Sequence, residues 1–307
     1  MHPALSIIVF TTVSGLGYGL AVALGLGLLD PMATATRVAH VLALGLIAAG
    51  LAASTLHLGN PQRAWRAFSQ WRSSWLSREG VMAVITFLPL AAPSSLAVFG
   101  GRYVPALGLA GASLSLVTVY CTAMIYASLK SVQTWHTPLT PLCYLLFSLA
   151  GGFALATLFA AAGGGAVTLL AVLALVFLAA AWAAKLAWRN RMNRLRPIST
   201  PETATGLGFI GKVRLFERPH INDNYLTREM GFRVARKHAA KLAMLSLGLG
   251  GLVPAALLVG LLAAGPAQGA AVAVALLVVA SHATGMLVER WLFFAEARHA
   301  VMNYYGG

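Results

Sequence analysis

The sequence predicts an all-α, polytopic membrane protein built as a bundle of eight transmembrane helices. Of its 307 residues, 59% are hydrophobic and only 10% are charged. A soluble domain carries about 25% charged residues, so this chain has too few charges to cover a globular surface. Apolar runs of about twenty residues, the length that crosses a bilayer as a helix, recur along the chain. We therefore treat residues 1–307 as a single integral membrane domain.

Eight apolar runs define the predicted spans, and short connectors that contain glycine or proline separate most of them. These spans cover approximately residues 4–29, 37–58, 79–99, 104–129, 138–162, 166–188, 242–264 and 269–293. Pro89, Pro93 and Pro254 fall inside spans, where neighbouring helices can satisfy the backbone groups that a proline leaves unpaired, so we expect kinks and not breaks. The first run is too long for the core of a signal peptide and lacks a basic leader, so we expect it to be retained as a helix.

The positive charges lie almost entirely on one side of the predicted bundle. With eight spans, both termini share a side with the second, fourth and sixth loops. Every lysine and arginine except Arg37 and Arg102 falls on that side. The positive-inside rule then predicts that these loops and both termini are cytoplasmic. This topology accounts for the net charge of +14, so we do not expect nucleic-acid binding.

The sixth loop, about residues 189–241, is the one sizeable soluble segment that the sequence predicts. It has too few aliphatic residues to build a core of its own. Aromatic residues are spaced among its arginines and lysines, at Phe209, Phe216, Tyr225 and Phe232. Two interpretations stay open: the loop lies on anionic lipid headgroups, or it is a docking surface for a cytoplasmic partner, with aromatic and arginine anchors.

The run HLGNPQRAWRAF, residues 57–68, is the strongest candidate for a functional segment. His57 lies at the cytoplasmic end of the second span, where Gly59 and Pro61 stop the helix. The aromatic residues that follow are interleaved with arginines, a pattern typical of a short helix that lies in the membrane interface.

Glu79 opens the third span on the same side and at nearly the same depth as His57. An acid at the edge of a span is costly unless it is paired or has a function. One interpretation is an ion pair between Glu79 and Arg78 or Arg66, and it does not exclude a functional role.

Together these residues suit the chemistry of a lipid quinol. Oxidation of a quinol needs a base with a pKa near neutrality for one hydroxyl group, and the imidazole of His57 meets that need. A carboxylate at the water edge, Glu79, offers an exit for the second proton. Trp65 and neighbouring apolar side chains can hold the ring, and Arg63 or Arg66 can bond a ring carbonyl.

The other histidines predict no haem. A bis-histidine haem needs two imidazoles that face each other at one depth. His40 opens the second span on the far side of the membrane, whereas His282 lies near the middle of the eighth span. We expect His282, with Ser281 and Thr284, to form hydrogen bonds between helices.

The two cysteines predict no cofactor either. Cys121 and Cys143 both lie inside apolar runs, and the chain has no CxxC motif or cysteine–histidine cluster. We therefore expect no iron–sulfur cluster or zinc site in this chain, and we expect both thiols to be buried as small hydrophobic groups.

The motif HLGxPxRA at residues 57–64, with Glu79 opening the next span, resembles the anchor subunit of the dimethyl sulfoxide reductase family. Residues 229–238 and 289–296 also look like the proteobacterial members of this family. The resemblance covers essentially the whole chain, and the number of spans and the short connectors agree with it.

The resemblance implies a cofactor-free integral subunit that tethers a molybdopterin catalytic subunit and a ferredoxin-like subunit with four iron–sulfur clusters. In the family, the histidine that matches His57 is tied to menaquinol binding, and the acid that matches Glu79 lies near the same site. Quinol oxidation would then send electrons to the nearest iron–sulfur cluster and on to the molybdenum, in anaerobic respiration. The resemblance leaves open whether the quinone is menaquinone or ubiquinone, and similar anchors can pass electrons from a dehydrogenase to quinone.

A solute or proton transporter is the alternative from a different class of function. Proton and ion pathways usually require an acid inside the membrane. The sequence argument against a transporter is that no predicted span carries an embedded Asp or Glu. A purely structural tether is a third possibility.

Overall fold

The computed structural model describes residues 3–56, 58, 60–163, 165–214, 216–217, 222 and 234–305. Within these residues the protein is helical without strands, and eight helices are long and apolar enough to span a membrane. This confirms the predicted fold class. The helices are α1 (Leu5–Gly25), α2 (Thr34–Thr55), α3 (Trp75–Gly100), α4 (Pro105–Ala127), α5 (Leu139–Gly163), α6 (Val167–Arg194), α7 (Pro201–Thr205), α8 (Val234–Leu247), α9 (Val253–Ala264) and α10 (Gln268–Ala295).

The seventh span is one continuous helix, His238–Ala264, made of α8 from His238 onward, a π-helical turn at Gly248–Leu252, and α9. Pro254 lies in the first turn of α9, directly after the π-helical turn. Pro89 and Pro93 lie inside α3, which continues through both of them. The three prolines therefore leave their helices unbroken, as the sequence predicts.

α1 and α5 form the centre of the bundle. α1 packs against α2, α4, α5 and α10, and α5 also contacts α6. The two central helices cross closely at Gly19 and Gly152, where a Cβ atom on either glycine would overlap the facing backbone. A hydrogen bond of 2.6 Å from Ser148 Oγ to the carbonyl of Gly15 lies beside the crossing. Small residues allow such close approach of helices in membranes, where packing drives association.

We expect Gly152→Val to prevent the folded bundle from forming. Its side chain would meet the backbone of Gly19, which cannot move aside as a flexible side chain can, so the cost is about 3 kcal/mol or more. The yield of monodisperse protein in detergent measures the effect. Gly45→Val, at a helical glycine of α2 with open space around its Cβ position, is the matched control. Equal yields of the two variants would contradict the close crossing.

The described part of the sixth loop does not distinguish its two interpretations. It contains α7, whose first turn is capped by the Thr200 side chain. Phe209 and Phe216 are almost fully exposed, at 86% and 97%, as expected of residues that meet lipid or a partner. Tyr225 and Phe232 lie outside the described residues. A 3₁₀ segment, Ala300–Tyr305, follows α10 and bonds to this loop.

Candidate functional site

The second span ends close to the predicted position. α2 ends at Thr55, and Leu56 follows as an 80% exposed residue. His57 and Gly59 lie outside the described residues, so the role of His57 stays a sequence prediction. We call the side of the bundle that carries the second, fourth and sixth loops and both termini the basic face.

The predicted short helix after His57 is present on the basic face as a 3₁₀ segment, Pro61–Gln70. Arg63, Trp65 and Arg66 are all exposed there. The guanidinium carbon of Arg66 lies 5.6 Å from the centre of the Trp65 ring. The ring of Phe68, in the same segment, lies against Gly80 of α3, so the segment is held against the helix that carries Glu79.

Glu79 lies in the second turn of α3, which begins at Trp75. Its side chain points into the bundle, and the residue is only 6% exposed. The carboxylate oxygen Oε1 lies 2.6 Å from the hydroxyl of Thr122 in α4. The expected position at the water edge is therefore wrong, because Glu79 occupies the face of α3 that packs against α4.

Neither predicted ion pair of Glu79, with Arg78 or with Arg66, occurs among the described residues. Arg78 instead donates to the carbonyl groups of Trp71 at 2.9 Å and Arg72 at 2.7 Å. Its guanidinium carbon also lies 4.3 Å from the centre of the Trp75 ring. A carboxylate buried without a paired cation is costly. No ion pair therefore explains the buried position of Glu79, which makes it the leading candidate for a functional residue on this face.

A second buried group of charges was missed by the sequence analysis. This group, the ionic cluster, consists of Lys185 in α6 and of Glu289 and Arg290 in α10. The Glu289 carboxylate pairs with both cations and is 1% exposed. The guanidinium of Arg290 lies 4.1 Å from the centre of the Tyr144 ring, and Lys185 Nζ lies 3.8 Å from that of Trp188.

The ionic cluster corrects two sequence arguments. Glu289 is an acid embedded in a span, so the argument that no span carries one is wrong. Lys185 and Arg290 were both counted among the charges outside the membrane, but both lie inside the bundle. An adjacent acid and base within an apolar run was the signal that could have identified Glu289 and Arg290.

A separate ion pair lies closer to the basic face. Arg189 Nη1 is 3.2 Å from Glu296 Oε2, just beyond the end of α10. Burial raises the pKa of the Glu296 carboxyl group, and the nearby Arg189 acts in the opposite direction. With the ionic cluster, this pair forms a ladder of charges between α6 and α10.

The interhelical role predicted for His282 is confirmed. Its Nδ1 lies 2.9 Å from the carbonyl of Gly250 in the π-helical turn, and Ser281 Oγ donates to Leu249 at 2.6 Å. Thr284 differs from the prediction, since it bonds to the carbonyl of Ala280 in its own helix. On the far side of the bundle, His40 Nδ1 lies 2.9 Å from Ser94 Oγ.

The described residues contain no group of three or more His, Cys, Asp or Glu side chains arranged to hold a metal ion. Cys121 and Cys143 are free thiols, and both are buried as the sequence predicts. The candidate site consists of Glu79, the exposed 3₁₀ segment beside it, and His57 as predicted from the sequence.

Comparison with known proteins identifies relatives along the whole chain. Residues 1–295 match the model of the family described as DMSO reductase anchor subunit (DmsC). The chain is also similar to a subunit of the sulfite dehydrogenase of Allochromatium vinosum, with 35% identity over 327 aligned positions that cover 99% of each chain. No solved structure matches it.

Proposed function

The chain belongs to the DMSO reductase anchor subunit (DmsC) family, and we propose that this membrane anchor of a molybdoenzyme complex oxidises a quinol at its basic face. The electrons then pass to an iron–sulfur partner subunit and on to the molybdopterin subunit. Menaquinol or ubiquinol is the substrate, bound from the lipid phase. By the positive-inside rule the basic face is cytoplasmic, in a bacterial inner membrane.

The observation that carries the proposal is the buried carboxylate of Glu79. Its oxygen Oε1 contacts Thr122 at 2.6 Å, and no described cation pairs with it. Such a carboxylate can take a proton from a quinol hydroxyl group, since protonation removes the cost of the buried charge. Transfer of two electrons from the quinol releases two protons, so a second base is needed.

His57 is that second base. Its position in the sequence, two residues after the end of α2, puts it on the basic face with Glu79, and α2 packs against α3. An imidazole with a pKa near 6.5 accepts a proton at neutral pH and returns it to water readily.

The 3₁₀ segment supplies groups that suit a quinone ring. Trp65 is 65% exposed and offers an aromatic face. Arg63 and Arg66 are exposed beside it and can donate to the carbonyl oxygens that form as the quinol is oxidised.

The partner subunits belong on the basic face in this proposal. The sixth loop and the C-terminal tail lie on this face, and the exposed Phe209 and Phe216 fit a docking surface. A quinol site on the same face lies next to the subunit that takes its electrons.

A second candidate function runs in the opposite direction, from a dehydrogenase to quinone. One relative is a subunit of a sulfite dehydrogenase, and that name favours this direction. Glu79 and His57 would then donate protons to the reduced quinone, so the same residues serve both directions. A transporter is a weaker candidate. The buried Glu289 nevertheless removes the argument that no span carries an embedded acid.

We expect His57→Ala to lower quinol-dependent electron transfer at least tenfold in membranes with the assembled complex, because the ring hydroxyl group loses its base. His136→Ala is the control, since His136 is an exposed histidine of the fourth loop, on the basic face, and lies outside the site. Unchanged electron transfer in His57→Ala would remove His57 from the site and leave a structural tether. Solute transport by the purified chain in proteoliposomes would instead favour the transporter.

A further inference from the structure

A small cavity with a mostly apolar lining and a cluster of polar groups in its wall lies among α1, α4, α5 and α10. Its volume is about 30 Å³, which is room for one or two water molecules. Its walls include Tyr18 from α1, Thr122 from α4, Tyr144 from α5, and His282 and Arg290 from α10. The cavity thus lies between the helix that contacts Glu79 and the ionic cluster.

Four polar atoms in this wall are buried and make no hydrogen bond of ordinary length and angle among the described residues, although the Tyr18 hydroxyl faces Thr118 and the Tyr144 hydroxyl faces Arg290. They are Thr12 Oγ1, Tyr18 Oη, Tyr144 Oη and His282 Nε2. Native proteins pair nearly all buried polar groups with protein or with ordered water. Three hydroxyl groups and a ring nitrogen around one cavity match the two to four polar partners that a buried water requires.

His282 presents a proton acceptor to this cavity. Its Nδ1 lies 2.9 Å from the carbonyl of Gly250. A carbonyl oxygen only accepts hydrogen bonds, so Nδ1 carries the hydrogen. In the neutral ring, Nε2 then carries no hydrogen and faces the cavity. The ring also lies near the carbonyl of Phe147, to which a protonated Nε2 can donate.

Thr122 links the cavity to Glu79. Its hydroxyl oxygen lies 2.6 Å from Glu79 Oε1 and 3.1 Å from the carbonyl of Thr118. The hydroxyl can donate to Glu79 when the carboxylate is charged. When Glu79 is protonated, the hydroxyl can accept from it and donate to Thr118 instead. Thr122 is therefore compatible with both protonation states of Glu79.

We propose that this cavity holds ordered water and passes a proton from Glu79 to His282. The proposal rests on the proposed function, in which Glu79 receives the proton from the quinol while the iron–sulfur partner takes the electrons. The proton leaves the Glu79 carboxyl group, crosses the Thr122 hydroxyl and the cavity water, and binds His282 Nε2. Glu79 becomes a carboxylate again and His282 an imidazolium, with no electron moved in this step. Arg290 also faces the cavity, and its charge is balanced by Glu289.

Thermal unfolding of the whole complex tests whether the cavity is hydrated, without any reference to activity. In a hydrated cavity, Tyr18→Phe removes a hydrogen bond to water and lowers the apparent Tm by about 2–4 °C. Tyr103→Phe is the reference variant. It shows the fall in Tm when a known hydrogen bond is removed, because the Tyr103 hydroxyl donates to the carbonyl of Gly25 at 2.8 Å. In a dry cavity the Tyr18 hydroxyl has only its contact with Thr118, which does not meet ordinary hydrogen-bond geometry, so its removal leaves the Tm unchanged or raises it. An unchanged or raised Tm overturns the proposal.

Two further variants test the proton transfer. Thr122→Val removes the linking hydroxyl, and His282→Gln keeps a donor for Gly250 but cannot be protonated. We expect each to slow quinol oxidation about tenfold, while His282→Gln leaves the Tm within about 2 °C of the wild type. Thr157→Val is the control, because the Thr157 hydroxyl is buried in α5 and bonds to Phe153 at 2.8 Å. Wild-type rates in both variants would overturn the relay. If both variants have wild-type rates but Glu79→Gln is inactive in the same assay, the relay is wrong and the proposed function still stands.

Discussion

Glu79→Gln is expected to lower quinol-dependent electron transfer by about 10²–10⁴-fold, the range that a positioned general base contributes. Glutamine has nearly the same shape as glutamate and can still accept a hydrogen bond from Thr122, whose hydroxyl lies 2.6 Å from Glu79 Oε1. It cannot take a proton from a quinol. The loss should therefore fall on the chemical step and not on the fold of the protein.

The measurement is the rate of quinol oxidation in membranes that contain the assembled complex. A dye that reduces the partner subunits directly shows that they are present and active. Glu296→Gln is the matched control, because Glu296 is also a partly buried carboxylate near the basic face but pairs with Arg189. A Glu79→Gln complex with the rate of this control would remove Glu79 from the site.

The second large effect is expected from Glu289→Gln. This change leaves Lys185 and Arg290 buried with no carboxylate between them. Breaking a buried ion pair by removing one partner costs about 3–5 kcal/mol, because the remaining charge is uncompensated. We expect a large fall in the unfolding temperature and in the yield of the protein.

Adding Lys185→Met to Glu289→Gln removes one of the two unpaired cations and should recover part of the lost stability. Glu202→Gln, at an acid in the sixth loop that accepts from the backbone of Val213, is the single-site control. If Glu289→Gln unfolds no earlier than this control, the ionic cluster does not stabilise the bundle.

Much of the architecture could be predicted from local properties of the chain. Hydropathy and length predicted eight spans, and all eight are present, although α3 begins at Trp75 and α6 extends to Arg194. The break in the helix after Thr55 and the short helix at Pro61–Gln70 also follow from nearby glycine, proline and aromatic residues. These features depend on residues that are close together in the sequence, so patterns along the sequence predict them.

The candidate site was predictable in part for the same reason. Glu79 is conspicuous because acids are rare in this chain, and its span and its side of the bundle follow from hydropathy and charge. The direction in which the Glu79 side chain points cannot be predicted from hydropathy and charge. A span that is apolar on every side carries no stripe to mark its inward face, unlike an amphipathic helix in water.

Hydropathy, length and charge along the chain are enough to predict an eight-span membrane bundle with one strongly basic side and an acid at the start of the third span. Which polar groups meet inside the bundle depends on how its helices pack. Thr122 reaches Glu79 from α4, and Lys185 of α6 pairs with Glu289 of α10. The physical reason is that helices in a membrane choose their neighbours by close packing and polar contacts between distant segments. The crossing at Gly19 and Gly152 is such a contact, and it brings together the walls of the cavity that Tyr18 and Tyr144 line.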